Sequence, residues 1–124
     1  MSTTPRKFGF FQQASNTKVY PPETTIFQEG EEGHTMYAIK RGKVKVLVDG
    51  KVVDTLGDGE VFGEMALLEH KTRSAKVVTL EATELVEIDE AQFYSLVRQN
   101  PDFALQLMRL LSERLRRAQS SHGA

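Results

Sequence analysis

The apolar positions of this chain keep a two-residue rhythm through its middle and change to a three-to-four-residue rhythm near its end. Val44, Val46 and Val48 alternate with Lys43, Lys45 and Leu47, the period of a half-buried strand. Asp49-Gly50 follows and marks a tight hairpin, because both turn residues must take positive φ. Val52, Val53 and Leu56 return on the partner strand. Strand character begins near Lys18, and two further strands are predicted over 75–81 and 84–89, with Val86 and Ile88 on one face. Seven of the nine glycines (Gly30, Gly33, Gly42, Gly50, Gly57, Gly59 and Gly63) punctuate this region. Turns at such intervals between short strands predict a barrel or sandwich.

The last third reads as helix. Asp89-Glu90-Ala91-Gln92 has the form of a capping box, which predicts a helix over about 90–98. Asn100-Pro101-Asp102 restarts a helix, with Asn as cap, Pro at the first position and Asp in the positive first turn. This second helix is expected to reach about Gln119, a length of roughly 28 Å. It carries two apolar faces. Phe103, Leu107 and Leu110 form one. Ala104, Met108, Leu111, Leu115 and Ala118 form a heptad-like seam. The first face suits the domain's own core. The second calls for a partner, most simply the same helix of a second chain, although one broad core-facing stripe would give the same pattern.

Composition narrows the function classes. The chain has 124 residues, 40% hydrophobic and 27% charged, which fits one domain with a real core. The net charge of −1 lacks the general basic field of a phosphate-backbone binder. There is no cysteine, so disulfides and thiolate metal sites are excluded. No apolar run approaches the roughly 18 residues of a membrane span, and the start lacks a secretory signal's apolar centre. Ser2 is not the glycine that myristoylation needs. The default location is the cytoplasm. His34, His70 and His122 are too scattered for a metal centre, and neither a G-x-S-x-G elbow nor a nucleophilic cysteine is present. Asp54 and Asp58 read as turn and strand-edge carboxylates. No catalytic residue, no metal ligand and no enzyme activity are expected.

The chemistry concentrates in FGEMALLEHKTRSA, residues 62–75. Gly63 precedes a one-turn helix predicted from Glu64 to Leu68, and a helix start with glycine before it suits an anion. Glu64 would repel phosphate but would accept from a hydroxyl, as acidic residues do with ribose. Arg73 supplies a cationic fork for phosphate oxygens. Phosphate, ribose and an apolar wall together describe a nucleotide. The bland alternative is an internal Glu64–Arg73 ion pair closing the loop. Met65, Leu67 and Leu68 read as core anchors for this segment, and Lys71 and Thr72 as a solvated loop tip.

F-G-E-x-A-L-L, a short gap and R-S-A resemble the phosphate-binding cassette of the cyclic nucleotide-binding domain family, most like the sensor domains of bacterial catabolite activator proteins. The resemblance runs from about Thr17 to Gln119. It implies a mainly β fold with flanking helices: an eight-stranded, jelly-roll-like β-roll, a short cassette helix and two C-terminal helices. The chain divides accordingly: 1–16 a disordered start with a short helix around Phe8 to Ala14, 17–89 the β-roll with its cassette at 62–75, 90–119 the C-terminal helices, and 120–124 a disordered tail.

The resemblance also implies site roles. Glu64 accepts from the ribose 2′-hydroxyl and Arg73 pairs with the cyclic phosphate. Gly63, Ala66, Ser74 and Ala75 offer backbone N–H groups, with Phe62 and Met65 beside them. Val46 and Val53 form the apolar wall near the base. A Thr-Ser pair of the activator proteins falls, by register from Asn100-Pro101-Asp102, on Ala118 and Gln119. Gln119 has a hydrogen-bonding amide; Ala118 does not, and Ser120 and Ser121 lie slightly beyond. The base is therefore open: the resemblance implies cyclic AMP, and the Ser74 hydroxyl also allows cyclic GMP.

No DNA-reading helix-turn-helix follows the long helix in this sequence. Met1 reads as a natural start and the end is uninformative, so the chain is either a stand-alone sensor or the sensor fragment of something larger. The expected function is a stand-alone sensor that binds cyclic nucleotide, moves its last helix about the Pro101 break, dimerises through 101–119 and signals to an unidentified protein. The alternative from another class is a non-responsive dimeric scaffold built on the same fold.

Overall fold

A computed structural model of the chain describes Phe11, Ala14 and residues 16–121, with side chains through residue 117. The expected N-terminal helix around Phe8 to Ala14 and the C-terminal tail lie largely outside the described residues. The described residues form eight strands: β1 Thr17–Tyr20, β2 Thr25–Phe27, β3 Thr35–Arg41, β4 Lys43–Val48, β5 Lys51–Gly57, β6 Val61–Phe62, β7 Lys76–Thr79 and β8 Thr83–Asp89. A one-turn helix α1, Met65–Leu68, sits between β6 and β7, and α2 (Glu90–Gln99) and α3 (Pro101–Ser121) close the chain. The strands form two four-stranded sheets, β1-β8-β3-β6 and β2-β7-β4-β5, antiparallel throughout. This is the expected mainly β roll with its helices.

The local signals act as physics requires. Asp49 and Gly50 take φ of 52° and 78°, the two left-handed residues of a tight hairpin turn between β4 and β5. The hairpin carries a bulge: Val46 pairs with Asp54 but Leu47 pairs with Val52, which leaves Val53 as the extra residue. Asp89 Oδ1 accepts from the Gln92 backbone N–H, and Gln92 Oε1 accepts from the Asp89 backbone N–H, both at 2.8 Å. The expected capping box thus starts α2.

Alternation on the first sheet sets the layering. Met36 and Ala38 of β3, Val61 of β6, and Val86 and Ile88 of β8 face the helices, where Phe93, Phe103, Leu107 and Leu110 cover them. Their neighbours Tyr37, Ile39, Phe62 and Leu85 face the second sheet and meet Phe27, Val44, Leu56 and Val77. One sheet therefore serves two cores, and β3 is buried on both faces.

Two sequence expectations need correction. Leu68 is not a core anchor but 39% exposed, because a single turn of helix buries one face, here Ala66 and Leu67. The second apolar face of α3 departs from expectation at Leu111, which packs against the helix-side core; Met108 and Leu115 are exposed as expected, and Leu105 is exposed beside them.

Candidate functional site

A cavity of about 550 Å³ opens between the second sheet, the segment 62–75 and the inner face of α3. Phe62, Gly63, Glu64, Met65, Ala66, Arg73, Ser74, Ala75, Val46 and Val53 all line it. They come from β4, β5, β6, α1 and the loop before β7. Gln119 was also expected to take part; its side chain lies outside the described residues. Val53 reaches the cavity beside its sequence neighbour Asp54. In a regular strand adjacent residues face opposite ways, and the bulge at Val53 removes that restriction. Thr72, read from the sequence as a solvated loop tip, also lines the wall.

Gly63 takes φ of +80°, a conformation that a side chain resists. Glu64 follows as the residue before α1, and its carboxylate is buried, with the residue 4% exposed. The bond it makes is not the Glu64–Arg73 pair considered above. Its Oε2 accepts from Arg114 Nη1 at 2.9 Å, while Arg114 Nη2 donates to the Val61 carbonyl at 2.8 Å. The other oxygen, Oε1, is buried without a hydrogen-bond partner among the described residues. A carboxylate held by one oxygen with the other unmatched is an acceptor awaiting a donor.

Arg73 is held from several sides. Its backbone amide donates to Glu31 and its carbonyl accepts from Gly30, both at 2.8 Å. Its Nη1 donates to the Gly63 carbonyl at 3.1 Å and its Nη2 to Thr35 Oγ1 at 3.3 Å. Burial pulls the guanidinium below its ordinary value, against the opposing pull of Tyr37, Glu31, Glu64 and Glu87. The ordinary value is so high that the group remains a cation. Ala66 N–H turns back to the Gly63 carbonyl at 3.4 Å, whereas the amides of Ser74 and Ala75 have no backbone acceptor among the described residues. Since α1 has only four residues, its dipole contributes little, and the anion-attracting groups are Arg73 and these loop amides.

Arg114 and Arg117 also line the cavity, and sequence reading missed both. A signal was present. Arg114 and Arg117 continue, at helical spacing, the buried face of Phe103, Leu107 and Leu110. A charge on a buried stripe implies a buried partner, here Glu64. Among the described residues, no cluster of His, Asp or Glu is arranged to hold a metal ion. No helix there is long and apolar enough to cross a membrane.

Comparison with known proteins gives a consistent result. The family model for the cyclic nucleotide-binding domain matches residues 17–100. The cyclic AMP receptor protein of Thermus thermophilus is 38% identical over 106 residues, covering 82% of this chain and 49% of that protein. The crystal structure of the Thermus thermophilus catabolite activator protein superimposes with a TM-score of 0.78 at 36% identity, over 86% of this chain and 52% of that one. An EAL enzyme in its cAMP-bound form gives a TM-score of 0.64 at 34% identity, over 85% of this chain and 30% of that one. Its cGMP-bound form gives 0.65 at 34%, over 86% and 30%. The chain spans about half the length of the curated relatives it matches. It belongs to the cyclic nucleotide-binding domain family.

Proposed function

We propose that this chain is a regulatory sensor, not an enzyme, which binds a cyclic purine nucleotide in the cavity and signals through α3 in the cytoplasm. The carrying observation is that one cavity wall holds both a half-satisfied buried carboxylate, Glu64, and a separate buried guanidinium, Arg73. Glu64 Oε1 accepts from the ribose 2′-hydroxyl. Arg73, with the amides of Ser74 and Ala75, takes the cyclic phosphate, and Gly63, Ala66, Phe62 and Met65 complete that end. Val46 and Val53 flank the base, with Gln119 as a further contact from α3. Cyclic AMP is the ligand favoured by the names of the similar proteins, and cyclic GMP is the competitor to test.

Signalling follows from Arg114. It ties α3 to the carboxylate that meets the ligand, so ligand binding biases the position of the helix. A ligand shifts such an equilibrium only by its differential affinity for the two states. Calorimetric titration with cyclic AMP and then cyclic GMP tests the binding, with thermal shift as control for a small enthalpy. Micromolar or tighter binding, about −8 kcal/mol or stronger, is expected. Amides in the C-terminal half of α3 gain hydrogen-exchange protection on saturation. Silence toward both nucleotides would move the balance to the scaffold reading.

The exposed Leu105, Met108 and Leu115 recur at three- and seven-residue spacings along α3. That is the spacing of a helix-pairing seam, and we assign it to a second copy of this chain. Leu115→Glu is expected to weaken self-association about tenfold or more, as read by sedimentation equilibrium. Unchanged association would remove α3 from the interface. The protein downstream of the helix is a partner still to be captured.

A further inference from the structure

Arg73 is a cation almost out of water, 6% exposed, and its Nε has no partner among the described residues. A buried guanidinium is ordinarily matched by a carboxylate. The carboxylate of the same segment, Glu64, is bonded to Arg114 instead. What Arg73 meets is an aromatic face: its Cζ lies 4.0 Å from the Phe27 ring centroid and 5.9 Å from that of Tyr37. Phe27, Tyr37 and Phe62 form one cluster, with centroids 5.2 to 6.0 Å apart. Gly33 closes in as well. A methyl group there would come within 2.3 Å of Arg73 Nε and 2.4 Å of Cζ, so no side chain fits while the guanidinium holds this place.

The choice of a ring over a carboxylate has a chemical consequence. A carboxylate binds the edge of a guanidinium, the same edge that a phosphate needs. A ring attracts the cation through its face and leaves the edge N–H groups available. Of the five N–H donors of an arginine, the Gly63 carbonyl and Thr35 Oγ1 take one each. We propose that Phe27 is a positioning residue for Arg73: its ring face, with the bare backbone of Gly33, fixes the guanidinium plane so that its remaining donors are pre-aimed at an incoming phosphate. The geometry stands alone; its consequence for affinity rests on the nucleotide reading of the cavity.

Phe27→Leu keeps an apolar side chain and removes the ring; Phe27→Tyr keeps the ring. Loss of the cation–ring contact is expected to weaken cyclic nucleotide binding about 3- to 30-fold in the Leu variant, with Tyr within about twofold of wild type. Adenosine, which lacks the phosphate, binds all three alike. Equal affinity of the Leu variant and wild type overturns the proposal. So does an equal loss in the Tyr variant, or an equal loss for adenosine, because each points to packing alone. A ligand-free reading separates this from failure of the nucleotide assignment. In wild type the Arg73 Nε–H resonance is displaced by the ring current and exchanges slowly with water. In Phe27→Leu it moves toward the free-arginine position. If the resonance does not move, the clamp is absent whatever the cavity binds.

Discussion

The two faces of the first sheet are built to different rules. The helix-side core is closed: Met36, Ala38, Val61, Val86 and Ile88 lie under Phe93, Phe103, Leu107 and Leu110. The opposite core is aromatic and stops at the cavity, where Arg73 and Glu64 are buried beside it. Strands as short as β6 contribute to both, Val61 to one and Phe62 to the other. The closed side can be optimised for packing alone. The open side retains a carboxylate oxygen and a guanidinium nitrogen without partners among the described residues, at a cost in stability that makes sense where a ligand completes them.

The largest effects should therefore split by side. Phe103 is fully buried and meets both Phe11 and Phe93 edge-on at 6.1 and 5.9 Å. Phe103→Ala is expected to cost about 3–5 kcal/mol in urea unfolding. Its counterpart on the open side, Arg73→Met, removes a buried cation and is expected to leave stability within about 1 kcal/mol of wild type. The same change should lower cyclic nucleotide affinity about a hundredfold or more, since a charge-assisted phosphate contact is lost. If Arg73→Met unfolded the domain as severely as Phe103→Ala, the division between a packing side and a binding side would be broken.

Features set by neighbouring residues were legible in the sequence, and features set across the fold were not. The Asp49-Gly50 turn and the Asp89–Gln92 capping box each lie within four residues, so their chemistry is visible in a string. The segment 62–75 was legible for the same reason. Arg114 bonds a carboxylate 50 positions away, and no local pattern specifies that distance. Its place on the stripe begun by Phe103, Leu107 and Leu110 gave the face but not the partner. Phe27 carried no signal in the sequence, because nothing local connects it to Arg73. The α3 seam held at Met108 and Leu115 and failed at Leu111, which packs inward, because rotation about a helix axis is decided by what the helix packs on. Val53 was assigned to the cavity through the family resemblance. A strict two-residue period cannot place it beside Asp54 on one wall; the bulge does.

The helix α3 crosses the boundary between the two sides, and a smaller perturbation there sharpens the comparison most. Its first half is held by the closed core through Phe103, Leu107 and Leu110. Its second half is held by Arg114, whose side chain is 23% exposed and whose two bonds reach Glu64 and the Val61 carbonyl. Arg114→Ala leaves the buried Glu64 carboxylate without its cation. Because Arg114 is partly exposed, water can replace some of the lost contact, and the expected loss of stability is about 1–2 kcal/mol, below that of a fully buried pair. Affinity should fall about three- to tenfold, as Glu64 loses its fixed orientation. The diagnostic result is in hydrogen exchange. Protection of the first half of α3 should be the same with and without ligand, in wild type and variant alike. Protection of the second half should rise with ligand in wild type and stay flat in Arg114→Ala. A second half that still responds to ligand in the variant would mean that the signal reaches α3 by another route, and that Arg114 only holds the carboxylate in place.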